Sequence, residues 1–221
     1  MKTTVYIPIK LSNERLPEKN LKRFDDGTPL IHLIQKTLLK VDIIDEVYIF
    51  CSDDSIKEYV LDGIKYLKRP EFLDSKETLC AEIISEFVKA VPSDIYILAH
   101  ATSPFVRAET YKKCIEKVQS GEYNSAMAAK RLQKFMWYHG KPLNFDLSNI
   151  PRTQDMDPIF LESSSPYVFT KEVFEKFNGR TDDRPYICEC SDIETIDIDY
   201  PEDFVISNAM YMSILKDEMF K

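Results

Sequence analysis

Apolar runs of strand length alternate with longer segments of helical period from the N-terminus to about residue 121. "TTVYIPI" is followed by "PLIHLIQKTLLKV", "EVYIFCS" by "DSIKEYVLDG", and "IKYLKR" by "CAEIISEFVKAV"; "DIYILAHA" then leads into "RAETYKKCIEKVQSG". Runs rich in β-branched and aromatic residues predict strands, and apolar positions three and four apart predict amphipathic helices. Their alternation predicts successive βα units around a mostly parallel sheet, a doubly wound α/β fold. Gly121 stands where the last of these helices needs a C-terminal cap.

From about Asn124 the rhythm changes. "NSAMAAKRL" predicts a strand, and residues 133–157, polar and aromatic with scattered prolines, predict an excursion from the sheet. "PYVFTK" resumes the strand pattern, "KEVFEKF" predicts a short helix, and "RPYICEC" and "TIDID" predict two further strands. "PEDFVISNAMYMSILKDEMF" predicts a terminal helix with Pro201 in its first turn, and "KDEMFK" its frayed end. At 221 residues, 44% hydrophobic and 30% charged, the chain suits one compact domain with its own core.

The formal net charge of -8 argues against non-specific binding to nucleic acid or to an anionic membrane, both of which call for surplus Lys and Arg. Any phosphate site is therefore local. No stretch of about 18 apolar residues and no signal-peptide pattern is seen, so a cytoplasmic location is the expectation. The five cysteines predict no disulfide framework. Cys188 and Cys190 form a lone C-x-C without a second pair at zinc spacing, and strand packing is the simpler reading.

Ligands of open α/β sheets bind beyond the carboxyl ends of the strands. Three polar segments follow predicted strands. The first, "IPIKLSNERLPEKN", places Lys10, Arg15, Lys19 and Lys22 around one loop, whose donors could converge on an anion. A solvated basic loop is an equal reading of the spacing. Neither G-x-x-x-x-G-K-[ST] nor G-x-G-x-x-G is present, so glycine-led phosphate cradles are excluded.

In "TIDIDYPEDF", alternation predicts Asp197 and Asp199 on one face of a strand end, where Mg²⁺ could sit; a hydrated strand end with a helix N-cap is the plainer alternative. "HATSPFVR" offers His100, Thr102, Ser103 and Arg107 to a polar ligand, although His100 alone reads as well as a satisfied buried histidine. No G-x-S-x-G elbow occurs, and His32, His100 and His139 make no positional case for a hydrolase triad. The aromatic cluster "FMWYHG" reads as packing.

Together the three segments resemble the CMP-sugar synthetases of the acylneuraminate cytidylyltransferase family, whose opening motif is IPAR-x-GSKRLPGKNL. The chain matches it at Ile7, Pro8, Arg15, Leu16, Pro17, Lys19, Asn20 and Leu21. "RPEFL" at 69–73 resembles RPEEL, "HATSPF" resembles QPTSPL, and "IDIDYPEDF" resembles IDIDTPEDF, all in the family's order. The resemblance implies a Rossmann-like nucleotidyltransferase fold over residues 1–221, with an inserted dimerisation and acceptor-site segment at about 133–165, and a homodimer.

The activity it implies is transfer of CMP from CTP to a sugar acid of the sialic or nonulosonic type for glycan biosynthesis, with Mg²⁺ and release of pyrophosphate. It further implies that Lys10, Arg15 and Lys19 hold the triphosphate and act in catalysis, with Ser12 and Asn13 in the same loop. Asn20 and Arg69 would lie near base and ribose, and Asp197 and Asp199 would hold Mg²⁺. His100, Thr102 and Ser103, with Arg152, Gln154 and Glu162, would face the acceptor.

The chain departs from the family motif where Lys10 replaces Arg, Ser12 Gly, Asn13 Ser, Glu14 Lys and Glu18 Gly. Glu14 beside a triphosphate should weaken anion binding unless it turns to solvent or pairs with Arg15, Lys19 or a metal. "PRTQDMDPIFLESSSPYVF" lies where the family often has an Arg-rich stretch and an N-G-A turn. Glu162 and Ser163 to Ser165 would suit a hydroxylated or amine-bearing acceptor, so an unusual nonulosonic or related acid is predicted. Two alternatives stand beside this: a catalytically degenerate nucleotide-binding homologue, and a nucleotidyltransferase with a different nucleotide or acceptor, such as a non-sugar alcohol or phosphonate.

Overall fold

The computed structural model describes residues 1–216. Its first half follows the predicted alternation: β1 (Thr3–Ile9), α1 (Leu30–Leu38), β2 (Glu46–Cys51), β3 (Lys65–Lys68), α2 (Cys80–Ala90), β4 (Ile95–Leu98) and α3 (Ala108–Gln119). The second half adds β5 (Ser125–Leu132), a small hairpin β6 (Trp137–Tyr138) and β7 (Lys141–Pro142), β8 (Ile159–Thr170), α4 (Lys171–Phe177), β9 (Tyr186–Glu189) and α5 (Pro201–Met210). Seven strands form one sheet in the order β3-β2-β1-β4-β8-β5-β9. β8 runs antiparallel to both neighbours, and the other pairings are parallel.

Both faces of the sheet are covered, which is why its strands read as near-continuous apolar runs. Alternation along β1 sends Val5, Ile7 and Ile9 against α1 and α3, through Ile31, Ile34, Leu38 and Ile115. Tyr6, Phe50, Tyr96, Leu98 and Phe169 pack on the other face against Ile84 and Phe87 of α2. A third cluster joins the loop after β1 to α1 and α5: Leu16, Phe24, Leu30, Leu33, Ile198 and Phe204, with Phe24 stacked on Phe204 at 5.3 Å between centroids. That cluster fixes the position of the basic loop relative to the acidic segment at 197–199.

Four expectations are corrected. "DSIKEYVLDG" is a 3-10 turn at Asp54–Tyr59 rather than a helix, capped by Asp53, whose side chain accepts from Ser55 N at 2.9 Å. "TIDID" joins no strand among the described residues; Ile198 N bonds Thr102 O at 2.9 Å. β8 begins at Ile159 rather than near Pro166, and opposite β5 its register jumps from Tyr167 to Glu162, which bulges Ser163 to Pro166 out of the ladder. The terminal helix ends its α-helical part at Met210 and continues as a π turn, Tyr211–Leu215; most of "KDEMFK" lies outside the described residues.

The excursion carries the β6–β7 hairpin and leaves Phe135, Trp137, Tyr138, Leu143, Leu147 and Ile150 exposed. All five cysteines are free thiols, and Cys114 of α3 and Cys188 of β9 are buried in the same core. Among the described residues no helix is long and apolar enough to cross a membrane.

Candidate nucleotide and acceptor site

The loop after β1 is tied to itself through one carbonyl. Asn13 Nδ2 and Asn20 Nδ2 both donate to Lys10 O, at 2.8 and 3.1 Å, while Leu16 anchors the loop in the third cluster. Asn20 is buried and holds the backbone, a positioning role the motif alone does not reveal. Glu18 sits at φ 53°, in the left-handed region that favours glycine, at the position where the family motif has Gly. Lys10, Ser12, Asn13, Glu14, Arg15, Lys19 and Lys76 line an open cleft of about 330 Å³. Lys22 turns away, its Nζ 5.0 Å from the ring centroid of Phe204.

Glu14 stands in the cleft, where its charge is met by one of the cleft's own cations. It forms an ion pair with Lys76, which holds its carboxyl below the usual range. The partner is none of the three expected, Arg15, Lys19 or a metal, and it ties the loop to the segment before α2.

The acidic segment meets this loop directly. Asp199 Oδ1 lies 2.8 Å from Lys19 Nζ and Oδ2 lies 2.6 Å from Arg15 Nη1. Burial pushes the Asp199 carboxyl up, but Lys19 and then Arg15 outweigh it and hold it below the usual range. Arg15 also lies over the Tyr200 ring at 5.4 Å. Asp197 accepts from Ser164 Oγ at 2.7 Å through Oδ2, while its Oδ1 is buried with no hydrogen-bond partner among the described residues.

A buried carboxylate holds that segment in place. Glu194 accepts from Arg107 N (3.2 Å), Thr110 Oγ1 (2.5 Å), and Ser191 N and Oγ (3.1 and 3.0 Å). It thereby caps the N-terminus of α3, where a negative charge is favoured. Burial raises its pKa, but the hydrogen bonds from Thr110, Ser191 and Arg107 prevail and lower it. Sequence reasoning passed over Glu194, because one acid among several in "SDIETIDID" carries no distinguishing signal.

His100 contacts the Ser164 carbonyl through Nδ1. Burial is the main cause that lowers its pKa, and the positive charges of Arg180 and Lys19 act in the same direction. The ring is therefore neutral near pH 7; donation from Nδ1–H to the carbonyl leaves Nε2 as the acceptor nitrogen. Thr102 contributes its carbonyl to Ile198. Ser103 is 1% exposed and its hydroxyl has no hydrogen-bond partner among the described residues, so it lies in the interior rather than open to the cleft.

Other expected residues lie apart. Arg69 is 2% exposed and pairs with the half-buried Asp74, which also accepts from Ser52 Oγ at 2.5 Å; this knot closes the end of β3. Arg152 and Gln154 stand on the exposed excursion, where Arg152 pairs with Asp155 at 2.7 Å. Among the described residues no hydrogen bond or ion pair brings either to His100 or Asp197. Glu162 accepts from Tyr167 Oη at 2.8 Å and pairs with Arg180 at 3.3 Å, a cation that the sequence reading missed.

The sequence family described as "Cytidylyltransferase" matches residues 4–184. The chain belongs to the cytidylyltransferase family. It is 26% identical over 198 residues to an N-acylneuraminate cytidylyltransferase of Oncorhynchus mykiss, covering 84% of this chain and 46% of that protein. A 3-deoxy-manno-octulosonate cytidylyltransferase 2 of Hydrogenovibrio crunogenus is 23% identical over 197 residues, covering 80% and 78%. The chain spans less than half the length of the curated fish relatives it matches, at 46% and 40%.

The fold is that of solved cytidylyltransferases. A CMP:2-keto-3-deoxy-manno-octonic acid synthetase complexed with CTP superposes with a TM-score of 0.73 at 16% identity, covering 96% of this chain and 99% of that one. A 4-diphosphocytidyl-2C-methyl-D-erythritol synthase from Anaerococcus prevotii gives 0.67 at 16% identity, covering 96% of each. The central sheet, mostly parallel and flanked by helices, is thus the Rossmann-like nucleotidyltransferase fold.

Among the described residues no three His, Cys, Asp or Glu side chains could together hold a metal. A cation here would therefore rest on Asp197, Asp199 and the phosphates of its ligand. The orphaned Asp197 Oδ1 fits that role, since Mg²⁺ is usually bound by one or two carboxylates plus substrate phosphates.

Proposed function

We propose that this cytidylyltransferase moves CMP from CTP to a hydroxyl of a sugar acid, with Mg²⁺ and release of pyrophosphate. The observation that carries the reading is the junction of the two end motifs: Asp199 is held between Arg15 and Lys19 at 2.6 and 2.8 Å. Phosphoryl transfer asks mainly for positioning and charge stabilisation. A loop of cations locked to Asp199, with Asp197 two residues before it, supplies both.

Lys10, Arg15 and Lys19 would hold the triphosphate against the cleft wall, with Ser12 and Asn13 shaping the loop and Asn20 fixing its backbone. Arg69, paired with Asp74, would lie towards base and ribose. Asp197 through Oδ1 and Asp199 would hold Mg²⁺, which when bound supplies positive charge against the phosphate oxygens. Lys19 and Arg15 then serve as a reserve of cations that Asp199 keeps oriented before the nucleotide arrives.

On the acceptor side, His100 Nε2 would accept a hydrogen bond from the sugar, beside Thr102 and Ser164. Arg152 and Gln154 would reach an acceptor only from the excursion, whose exposed Trp137, Tyr138, Leu143 and Leu147 support its use as the homodimer contact. The Glu14–Lys76 pair favours an active enzyme over a degenerate nucleotide-binding homologue, since the reversed charge is neutralised by a lysine of the same cleft.

The test is a pyrophosphate-release assay with Mg²⁺, each of the four nucleoside triphosphates, and a panel of nonulosonic, 2-keto-3-deoxy and phosphonate acceptors. Release with CTP and a sugar acid together is expected. Tight CTP binding with no release across the panel would instead select the degenerate homologue.

A further inference from the structure

Arg180 lies outside every motif used above. Asn178 ends α4 in a left-handed conformation, φ 50°, and two residues later the Arg180 guanidinium carbon sits 3.6 Å from the ring centroid of Tyr167 on β8. Its Nη2 is 3.3 Å from Glu162 Oε2, and its Nη1 is 3.6 Å from the Sγ of Cys80, the first residue of α2. Tyr167 Oη donates to the same Glu162 oxygen at 2.8 Å.

Two further observations place this cluster in the site. The Tyr6 hydroxyl is fully buried, has no partner among the described residues, and feels both the Cys80 thiol and the Arg180 charge. Ser164, two residues after Glu162, meets His100 Nδ1 through its carbonyl and donates through Oγ to Asp197 Oδ2 at 2.7 Å, which joins the partner of Arg180 to the acceptor side of the site.

We propose that Arg180 receives the carboxylate of the acceptor, and that Glu162 holds that place while no acceptor is bound. This rests on the sugar-acid reading above and adds the residue that selects for the acid. Stacking on Tyr167 fixes the guanidinium plane, so its fork of donors is oriented beforehand. Glu162 engages that fork by one contact of 3.3 Å, longer than the 2.7–2.9 Å of a good charge-assisted hydrogen bond. A sulfur at 3.6 Å is a weak acceptor for the other edge. The side chain is 31% exposed, which leaves it reachable from solvent.

A purely structural arginine would pin the loop after α4 and do nothing to acceptor selectivity. A carboxylate anchor competing with Glu162 behaves differently: its removal weakens acid acceptors, and removal of the competitor strengthens them. The Glu162–Arg180 pair also lowers the case for an amine-bearing acceptor, because the negative charge of Glu162 is already met.

The experiment compares wild type with Arg180→Ala, Arg180→Lys and Glu162→Gln, using N-acetylneuraminate, 3-deoxy-manno-octulosonate and their C1 amides as acceptors with CTP. A lost charge-assisted pair of about 1.5–3 kcal/mol corresponds to a rise of roughly 10- to 100-fold in the acceptor KM of Arg180→Ala, with the CTP KM within about twofold. Arg180→Lys, which keeps the charge but not the fork, should raise it by roughly threefold or more, and Glu162→Gln should lower it. The preference for acid over amide should vanish in Arg180→Ala. If Arg180→Ala is unstable by its melting temperature and CTP affinity, Arg180→Lys and Glu162→Gln carry the comparison. Wild-type turnover with unchanged acceptor KM and acid preference in the soluble variants would overturn the role of Arg180 alone. A wild type that binds CTP but turns over no acid of the nonulosonic and 2-keto-3-deoxy panel would overturn the sugar-acid reading and this role with it.

Discussion

Lys19 Nζ lies 2.8 Å from Asp199 Oδ1, joining residues 180 positions apart in the chain. The contact places the opening basic loop against the acidic segment before α5, with Ile198 buried on one side and Asp197 and Asp199 half-buried around it. The third apolar cluster, in which Leu16 and Ile198 both take part, brings these two distant segments together.

Replacing Asp199 by Asn should separate the two roles of this carboxylate. Arg15 and Lys19 lose their shared counter-charge, and Mg²⁺ loses a ligand, so kcat/KM should fall by roughly 100-fold or more. Asp197→Asn should weaken Mg²⁺ binding through Oδ1, which has no hydrogen-bond partner among the described residues, and should disturb the bond that Oδ2 accepts from Ser164. Titrating activity with Mg²⁺ checks both: each variant should need more metal, and wild-type metal dependence in both would remove the assignment.

Glu18 is a left-handed residue in a position that suits glycine. Relief of its backbone strain, about 1–2 kcal/mol, exceeds the extra entropy of Gly, so Glu18→Gly should stabilise the protein by roughly 0.5–1 kcal/mol. Urea unfolding midpoints compare the two proteins. A destabilised variant would show that the Glu18 side chain has a contact that matters more than the strain.

The Glu14–Lys76 pair predicts a conditional effect. Lys76→Ala should release Glu14 towards Lys10 and the triphosphate, raising the CTP KM several-fold, and Glu14→Gln in the same protein should restore it. Both charges are exposed, so the effect should shrink with added salt. Equal CTP KM values in all three proteins at low salt would show that Glu14 never faces the nucleotide.

Glu194 makes a pH-dependent contribution. Its pKa in the folded protein is lower than the ordinary 4.5, so its stabilisation is fully present above that value and is lost as pH falls through the lowered one. Glu194→Gln should therefore be less stable than wild type at pH 7, by up to about 3 kcal/mol, with the difference narrowing in acid. Melting temperatures between pH 3 and pH 7 provide the measurement; a constant difference would assign the loss to packing.

The alternating apolar runs made β1 to β5 and α1 to α3 legible, because buried parallel strands and amphipathic helices have distinct periods. "DSIKEYVLDG" misled because its apolar spacing fits a helix, while Asp53 capping Ser55 and Gly63 at φ 88° favour short turns. "TIDID" has strand alternation, yet Ile198 N bonds the Thr102 carbonyl in the loop after β4 rather than a strand. The basic loop and Asp199 were legible as site residues, and the structure brings them together.

Arg152 and Gln154 stand on the excursion, where their place in the chain puts them, and both are exposed. Arg180 and Glu194 escaped the sequence reading. Each acquires its role from contacts across more than fifteen residues, Arg180 with Glu162 and Glu194 with Thr110, and such contacts leave no local pattern.

The central claim is tested most directly by following the phosphorus of CTP. Protein, Mg²⁺ and a sugar acid are incubated with CTP labelled at the α-phosphorus, and in parallel with CTP labelled at the γ-phosphorus. The account predicts α-label in a new CMP–sugar acid product and γ-label in pyrophosphate, in equal amounts and only when all three components are present. Release of γ-label as orthophosphate, or no movement of α-label onto any acid tested while CTP still binds, would contradict it.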